Sequence, residues 1–521
     1  MRIVTASEMR SLEEAAFARG IEAPALMQQA GAGVARVIRD IAPHPGARVV
    51  VLLGPGNNGG DGVAAARTLA GEGYHVSVWS LTARADLDTP GGQGLAMLDS
   101  LDALRDALSD ADIVLDAILG TGARAGLRDD MAEVTRMVNT VTPRSARVIA
   151  LDVPTGVDAT TGAASDDAII ASATVTLGSP KRGCLVPSGS RYAGRIRVVD
   201  LGLGEPSEPG PRMTTDADVR SRVPRRLPDA HKSDCGTLLV VAGAVTYIGA
   251  PGFVAEAAMR AGTGLATMAV PRAIAGTVAA VVREATLLPL GDDLDRATKQ
   301  FDEWSHRFTA AVVGPGMGRE EETERFLARL LGTGEARSRP QLGFGSAAAS
   351  ASREPMLPAT LPVLVDADGL NWLSGVENWW DQITRPLILT PHVGEMARLA
   401  GCDMGEVKRD PWKIAREHAD KWNQVVVLKG GPTVVAAPGG VLWAAPGGNA
   451  ALATAGTGDV LSGTIGGFLA QGLSPLDAAI VGIHVGARAA EIASSAVGAY
   501  GMVATDLLPA IAAAMYEIMG V

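Results

Sequence analysis

The sequence predicts an α/β protein of two domains, the first built on a parallel, doubly wound sheet and the second repeating the alternation of strands and helices. Three observations predict it. Short apolar runs alternate with helical stretches, polar acid- and glycine-rich loops follow the apolar runs, and a proline-rich break falls after Leu203. A length of 521 residues also exceeds what one hydrophobic core sustains.

The opening segment reads as two helices, over 7–19 and 24–41. Residues 48–53 form a continuous apolar strand, followed by Gly54-Pro-Gly-Asn-Asn-Gly-Gly-Asp-Gly62 and a helix through Ala70. Strands are expected at 74–81 and at 112–115, the latter running into Asp116-Ala-Ile-Leu-Gly-Thr-Gly122. A fourth, 147–151, ends in Asp152-Val-Pro-Thr-Gly-Val-Asp158. In such sheets the ligand crevice lies at the C-terminal strand ends, where these acids and glycines gather. Gly204-Glu-Pro-Ser-Glu-Pro-Gly-Pro211 has no periodicity and reads as a linker. The expected domains are therefore 1–204 and 216–521, joined by 205–215. The second half restarts the alternation with strands at 236–242, 265–270, 310–314, 361–365, 386–389 and 424–428. Helices over 252–261 and 459–471 lie among them. Residues 332–360, rich in Ala, Ser, Arg, Gly and Pro, read as a solvated insertion loop.

Composition excludes several function classes. Hydrophobic residues make up 47% and charged residues 20%, enough for ample cores. A net charge of −11 argues against nonspecific nucleic-acid binding, and aromatics, at 4%, form no basic-aromatic stripe. No stretch approaches the roughly 18–20 apolar residues of a membrane span, and the N-terminus carries no signal-like run. Cys184, Cys235 and Cys402 are far apart, as reduced structural thiols are. A soluble cytoplasmic protein without membrane or nucleic-acid partners is expected.

The first glycine turn lacks the Lys-Ser/Thr ending of a Walker loop and the GxGxxG spacing of a dinucleotide fold. Its glycines permit close backbone approach, while Asn57, Asn58 and Asp61 offer oxygens to a cation or a sugar. Asp116 precedes a second amide cradle, Gly120-Thr121-Gly122, and Asp152 precedes Pro154-Thr155-Gly156. Three strand ends should thus deliver Asn58, Asp116 and the Thr155 region to one crevice. Asp152 is the acid/base candidate, its pKa raised by a partly dehydrated crevice, with a turn cap as the bland reading. The second turn lies in Asn449-Ala-Ala-Leu-Ala-Thr-Ala-Gly-Thr-Gly-Asp-Val-Leu-Ser-Gly463. Gly456 and Gly458 let amides point at a phosphate chain as a helix begins. Asp459 stands where a base would meet a substrate hydroxyl aimed at a phosphate, with a helix cap as its alternative.

The three N-terminal motifs together resemble the NAD(P)H-hydrate epimerase domain, the YjeF N-terminal type with a Rossmann-like sheet, over about residues 1–204. That resemblance implies that Asn57, Asn58, Gly59, Gly60 and Asp61, with Gly120, Thr121 and Gly122, hold the ligand's phosphates. It also implies potassium on Asn58, Asp116 and Thr155, and substrate contact by Asp152. Thr155 stands where the family usually has serine, and keeps the hydroxyl. The second turn resembles the ribokinase-like superfamily. His231-Lys-Ser-Asp-Cys-Gly236, Gly314-Pro-Gly-Met-Gly318 and Val365-Asp-Ala-Asp-Gly-Leu-Asn371 narrow this to the ADP-dependent NAD(P)H-hydrate dehydratase, the YjeF C-terminal type. Leu389-Thr-Pro-His-Val-Gly-Glu395 and Leu428-Lys-Gly-Gly-Pro-Thr433 agree, so the likeness covers nearly all of 216–521. It implies an adenine nucleotide on Lys429, Gly430, Gly431, Pro432, Thr433 and Gly458, and hydrated dinucleotide against Gly318, His392 and Asp459. Val393 replaces the family's usual proline.

The resemblance thus implies epimerisation of hydrated NADH or NADPH in the first domain and ADP-dependent dehydration of the S epimer in the second. Magnesium would assist, and a homo-oligomer is expected. The alternative is a small-molecule kinase, for a sugar or hydroxymethylpyrimidine, with a non-catalytic N-terminal binding module. Taken alone, His392 could be a turn histidine and Lys429 a solvated strand-end charge.

Overall fold

The computed structural model describes residues 1–41, 44–87, 95–122, 126–291, 293–333 and 355–520. Most of the predicted insertion, 334–354, lies outside the described residues. The chain divides into one unit of Met1–Met213 with Pro446–Gly448, and another of Thr214–Ala445 with Asn449–Val521.

The first unit is built on β1 (Arg48–Leu53), β2 (His75–Ser80), β3 (Ala96–Met97), β4 (Ile113–Ala117), β5 (Arg147–Leu151), β6 (Ala173–Leu177) and β7 (Arg195–Val199). Their order is β3-β2-β1-β4-β5-β6-β7, and every pairing is parallel. Val51 of β1 lies opposite Val78 on one side and Leu115 on the other. A short β8 (Arg212–Met213) closes the unit, with Arg212 bridged to Arg2.

The continuous apolar run of β1 follows from burial on both faces. Val49, Val51 and Leu53 pack with the helices Ala6–Ala18, Ala23–Ile41 and Asn57–Gly71. Val50 and Leu52 pack with Leu104, Leu108, Met131 and Val134 from the helices Leu101–Ser109 and Asp129–Val141. Strand order reverses between β1 and β4, so the loops after them diverge and leave a crevice. The unpredicted strands have a physical signature of their own. β6 alternates Thr174 and Thr176 with Ala173, Val175 and Leu177, while β7 carries Arg195 and Arg197, so neither reads as an apolar run.

The second sheet comprises β9 (Thr237–Val241), β10 (Leu265–Pro271), β11 (Thr286–Leu290), β12 (Ala310–Val313), β13 (Val363–Val365), β14 (Leu387–Leu389), β15 (Val425–Leu428), β16 (Val434–Ala437) and β17 (Val441–Ala444). Their order is β11-β10-β9-β12-β13-β14-β15-β16-β17. Pairing is parallel as far as β15, and antiparallel from β15 through the β16–β17 hairpin. The reversal here lies between β9 and β12. One face is covered by the helices Ala250–Arg260, Thr457–Ala470, Pro475–Val497 and Ala504–Met519.

The helix Thr457–Ala470 is rich in small residues because it touches backbone on one side and sheet on another. A β-carbon at Gly463 would lie 2.3 Å from the Val254 carbonyl oxygen, and one at Gly466 would lie 2.4 Å from Val312 Cγ2. Gly276, within the helix Arg272–Val281, faces nothing within 4 Å. The same substitution should therefore act with opposite sign at two positions. Gly463→Ala should destabilise the second unit by about 1–3 kcal/mol through overpacking. Gly276→Ala should stabilise it by about 0.5–1 kcal/mol through lost unfolded-state freedom. Denaturant midpoints of the two variants check both signs.

Candidate active sites

The first crevice is assembled from three strand ends. After β1, Gly56 caps the helix Asn57–Gly71, so Asn57, Asn58, Gly59, Gly60 and Asp61 form its first turns. The helix's own bonding begins with the Gly60 amide on the Gly56 carbonyl at 3.3 Å and leaves the amides of Asn57, Asn58 and Gly59 to a ligand. A β-carbon at Gly59 would fall 2.2 Å from the Gly54 carbonyl oxygen, which demands glycine there. Arg84 braces the turn from above, donating to the carbonyls of Gly54 and Gly56 while paired with Asp86. After β4, the loop through Gly120 returns against Asn58: a β-carbon on Gly120 would sit 3.0 Å from Asn58 Oδ1. Thr121 is half-buried and Gly122 exposed.

Asp116, fully buried, accepts from the Thr155 hydroxyl at 2.7 Å, the Thr155 amide at 2.8 Å and the Ile118 amide at 3.2 Å. The Thr155 hydroxyl in turn accepts from Leu119 N at 3.1 Å. Burial pushes the Asp116 carboxyl up to about 6 in spite of these donors, and no cation acts on it among the described residues. The buried Nδ2 of Asn58 has no hydrogen-bond partner among them either. Asp116 and Thr155 thus meet directly, and Asn58 lies against Gly120 in the loop that follows Asp116.

Asp152, at the end of β5, adopts φ = +69°, uncommon for a residue with a side chain. Its carboxylate accepts from Lys181 Nζ, from the Leu177 amide at 3.2 Å, and from the amide and hydroxyl of Thr121 at 3.0 and 2.5 Å. Lys181, 1% exposed, spends its remaining hydrogens on the Leu177 carbonyl at 2.7 Å and the Thr176 hydroxyl at 3.2 Å. The expectation of a raised Asp152 pKa is therefore corrected. Burial pushes the carboxyl up, but the Lys181 ammonium and the Thr121 and Leu177 hydrogen bonds outweigh it and hold it below the usual range. The raised group is Asp61, lifted to about 7 by burial, then by Asp152 and Glu13, against Lys181.

In the second unit, the loop after β13 places Asp366 at the centre. Its carboxylate accepts from Lys429 Nζ at 2.8 Å, from the Ser462 hydroxyl at 2.6 Å and from the Ala367 amide at 2.8 Å. Lys429 ends β15 and lies 3.8 Å from Glu395. A β-carbon on Gly458 would be 3.5 Å from its ammonium, so the lysine reaches the glycine turn. Burial alone would lower the Lys429 pKa, but Asp366 and Glu395 raise it overall. Gly430, Gly431, Pro432 and Thr433 form the turn between β15 and β16 beside it.

Gly456 takes φ = +86° and caps the helix Thr457–Ala470, with Asp459 in its first turn. The carboxylate of Asp459 makes no hydrogen bond among the described residues, so it is not spent as a cap. Burial first, then Asp366 and Asp368, push it up to about 7 against the pull of Lys429. Asp368 holds the Gly318 amide at 3.0 Å. His392 caps the next helix, Val393–Ala400, accepting the Gly394 amide on Nδ1 at 2.9 Å. That helix starts at Val393 without the usual proline, since the His392–Glu395 capping box supplies the start signal.

Both halves also match known proteins. A family model described as YjeF-related protein N-terminus matches residues 23–183, and one described as NAD(P)H-hydrate dehydratase matches 238–513. The bifunctional NAD(P)H-hydrate repair enzyme of Salinibacter ruber is 37% identical over 99% of this chain and 97% of its own. The chain belongs to the bifunctional NAD(P)H-hydrate repair enzyme family. The family's Escherichia coli enzyme is 33% identical, over 96% of this chain and 90% of its own. A solved ADP/ATP-dependent NAD(P)H-hydrate dehydratase from Bacillus subtilis, co-crystallised with ATP/Mg2+, is 26% identical, with a TM-score of 0.48. It covers 59% of this chain and 98% of that one. Membership across both halves sets aside the small-molecule kinase with an appended binding module.

Sequence reasoning missed several residues that shape this repair-family chain's two crevices. Asp366 and Asp368 lie inside the Val365–Asn371 motif, where two acids following an apolar strand were a usable signal. Lys181 and Arg84 carried none, and Ser462, though inside the Asn449–Gly463 motif, acts through Asp366, 96 positions away. The Lys181–Asp152 pair yields a stability test. Lys181→Met strands a buried carboxylate and should cost about 3–5 kcal/mol, most of it recovered in Lys181→Met/Asp152→Asn. Because Asp152 is depressed in the folded state, its contribution is present above the ordinary carboxylate pKa and lost as pH falls through the depressed value. Unfolding midpoints against pH for the wild type and both variants check this.

Proposed function

We propose that residues 1–204 epimerise hydrated NADH and NADPH, and that residues 216–521 dehydrate the S epimer with ADP as co-substrate. The observation that carries the reading is common to both crevices. Each sets a half-buried carboxylate, unpaired among the described residues and raised to about 7, in the first turns of a helix whose amides can hold phosphate.

In the first site, Asp61 donates a proton to the C6 hydroxyl as the C6–O bond breaks and water leaves. The ring-nitrogen lone pair closes a C=N bond, and water returns on either face, giving its proton back to Asp61. Asp152, kept anionic by Lys181, faces the transient positive charge of the ring. The first-turn amides and the Gly120–Gly122 loop hold the dinucleotide's phosphates. Potassium fits Asn58, Asp116 and Thr155: the donors are all oxygens, and the buried Asp116 carboxylate has only neutral donors around it. Bound there, it supplies counter-charge beside the phosphates.

In the second site, Asp459 takes the proton of the C6 hydroxyl as that oxygen bonds to the β-phosphorus of ADP and AMP leaves. The C6–O bond then breaks to release phosphate while C5 gives up a proton, restoring the ring's double bond. Lys429 and the Gly456–Gly458 amides stabilise the spreading charge, with Gly430–Thr433 along the nucleotide and Gly318 and His392 along the substrate. Magnesium, arriving with the nucleotide, would supply counter-charge to the transferred group. A cytoplasmic setting agrees with the free cysteines Cys184, Cys235 and Cys402. Among the described residues no helix is long and apolar enough to cross a membrane.

Return of reduced cofactor from each purified epimer, with ADP or ATP, tests the assignment. Asp459→Asn should abolish repair of both epimers. Asp61→Asn and Asp152→Asn should repair the S epimer normally and the R epimer only at its spontaneous rate. Accumulation of a phosphorylated sugar with no cofactor returned would sink the dehydratase reading, and wild-type R-epimer repair by Asp61→Asn would sink Asp61. The pH limbs should oppose each other. Epimerisation kcat/KM should fall as pH rises past about 7, because Asp61 must be protonated, and dehydration kcat/KM should fall below about 7, because Asp459 must be ionised. For potassium, KCl should raise the first unit's unfolding midpoint more than choline chloride, and Asp116→Asn should erase the difference. Equal midpoints in the two salts would rule out the cation site.

A further inference from the structure

Two buried acids of the second unit, Asp366 and Glu395, have no part in the proposed dehydration, and Asp366 is the more deeply buried. Asp366 is 1% exposed, and both of its oxygens are committed. Oδ1 takes the Lys429 ammonium at 2.8 Å and the Ala367 amide at 2.8 Å, while Oδ2 takes the Ser462 hydroxyl at 2.6 Å. These partners come from different parts of the fold. Lys429 stands at the end of β15, and Ser462 lies three residues beyond Asp459, one turn along the same helix.

The loop is shaped around this carboxylate. Ala367 follows it at φ = +49°, a left-handed conformation that a β-carbon disfavours. Gly314 is obligatory opposite it, since a β-carbon there would lie 2.0 Å from the Asp366 carbonyl oxygen. Ala367 is also the N-cap of the helix Asp368–Leu373, which it starts without a side-chain cap bond. Both features keep Asp366 under the lysine and the helix at once.

We propose that Asp366 is a positioning residue that locks the nucleotide-binding ammonium of Lys429 and the Asp459-bearing helix into one register. Through Oδ1 it aims Lys429 at the Gly456–Gly458 turn, and through Oδ2 and Ser462 it fixes the first turns of the helix. The base and the phosphate anchor are thereby set relative to each other before any ligand arrives. A base displaced by about 1 Å loses on the order of 100-fold in rate, which is the scale of what such a lock protects. The inference rests on the dehydratase reading for its chemistry, though not for the contact itself.

The groups facing Asp459 are Asp366 from the loop after β13, Asp368 from the helix Asp368–Leu373, and Lys429 from the end of β15, with Glu395 facing Lys429 in turn. Replacing Asp366 by an uncharged isostere removes one anion that lifts Asp459 and frees Lys429 to pair with it. Both effects move the carboxyl in the same direction.

The test uses the full chain with purified S-epimer and ADP, and ADP binding by calorimetry. Asp366→Asn should lower kcat about 100-fold and weaken ADP about tenfold. Its acidic limb of kcat/KM should also move down by about one pH unit, which a merely structural defect would not produce. Ser462→Ala cuts only the helix arm, so kcat should fall about tenfold with the KM for ADP within about twofold. An unmoved acidic limb in Asp366→Asn, or wild-type kcat in Ser462→Ala, overturns the proposal. If Asp366→Asn does not fold, the Ser462→Ala split decides alone. If wild type fails to turn over the S epimer, the dehydratase reading falls. The lock is then judged by ADP binding, where Asp366→Asn must weaken affinity and an unchanged value overturns it.

Discussion

Carboxylates taken out of water must either be paired or accept a proton, and both sites of this protein are organised by that constraint. In each crevice one acid is given a lysine and another is left without one. Asp152 receives the fully buried Lys181, which holds its carboxyl below the usual range, and Asp366 receives Lys429. Asp61 and Asp459, a short distance along helices from glycine turns, receive no hydrogen-bond partner among the described residues and rise to about 7. The paired acid in each case contributes to the rise of the unpaired one. A fixed charge therefore sets the proton affinity of a mobile one, and neither role could be exchanged without moving the lysine.

The folds supply the positions this requires. A strand order that reverses beside the central strand leaves its loops parting, so a helix N-terminus and two acids can share one opening. Glycine is used where backbone must meet backbone: Gly59 against the Gly54 carbonyl in the first unit, and Gly314 against the Asp366 carbonyl in the second. A side chain at either position would push apart the very groups whose electrostatic coupling the sites depend on.

What could be read from the sequence follows from which interactions are local. β1, β4, β5 and β9 to β15 other than β11 are buried on both faces, so they stand out as apolar runs, and the glycine turns after β1 and before Asp459 announce themselves. β6, β7, β16 and β17 do not: threonine or arginine interrupts the first two, and the last two form a hairpin that small alanines keep from looking strand-like. Within the sites, Asn58, Asp116 and Thr155 were legible because each closes a recognisable strand or turn. The charge state of Asp152 was not, because it depends on Lys181, 29 positions away and outside every motif. The same holds for Asp366, whose partners lie 63 and 96 positions distant. Motifs locate acids; only the packed chain decides which of them is neutral.

On the proposed chemistry, this division also explains why one chain can run both reactions at one pH. The epimerase needs its unpaired acid protonated, while the dehydratase needs its unpaired acid ionised. Had Asp61 kept an ordinary carboxylate pKa, almost none of it could donate at neutrality, and a higher Asp459 would leave too little base. With both near 7, each is present in its working form to a substantial fraction at the same pH. Repair of the R epimer, which must pass through both steps, is then bounded on the alkaline side by Asp61 and on the acid side by Asp459. The lysine placed beside Asp152 holds that carboxyl below the usual range and so keeps it out of the epimerase titration.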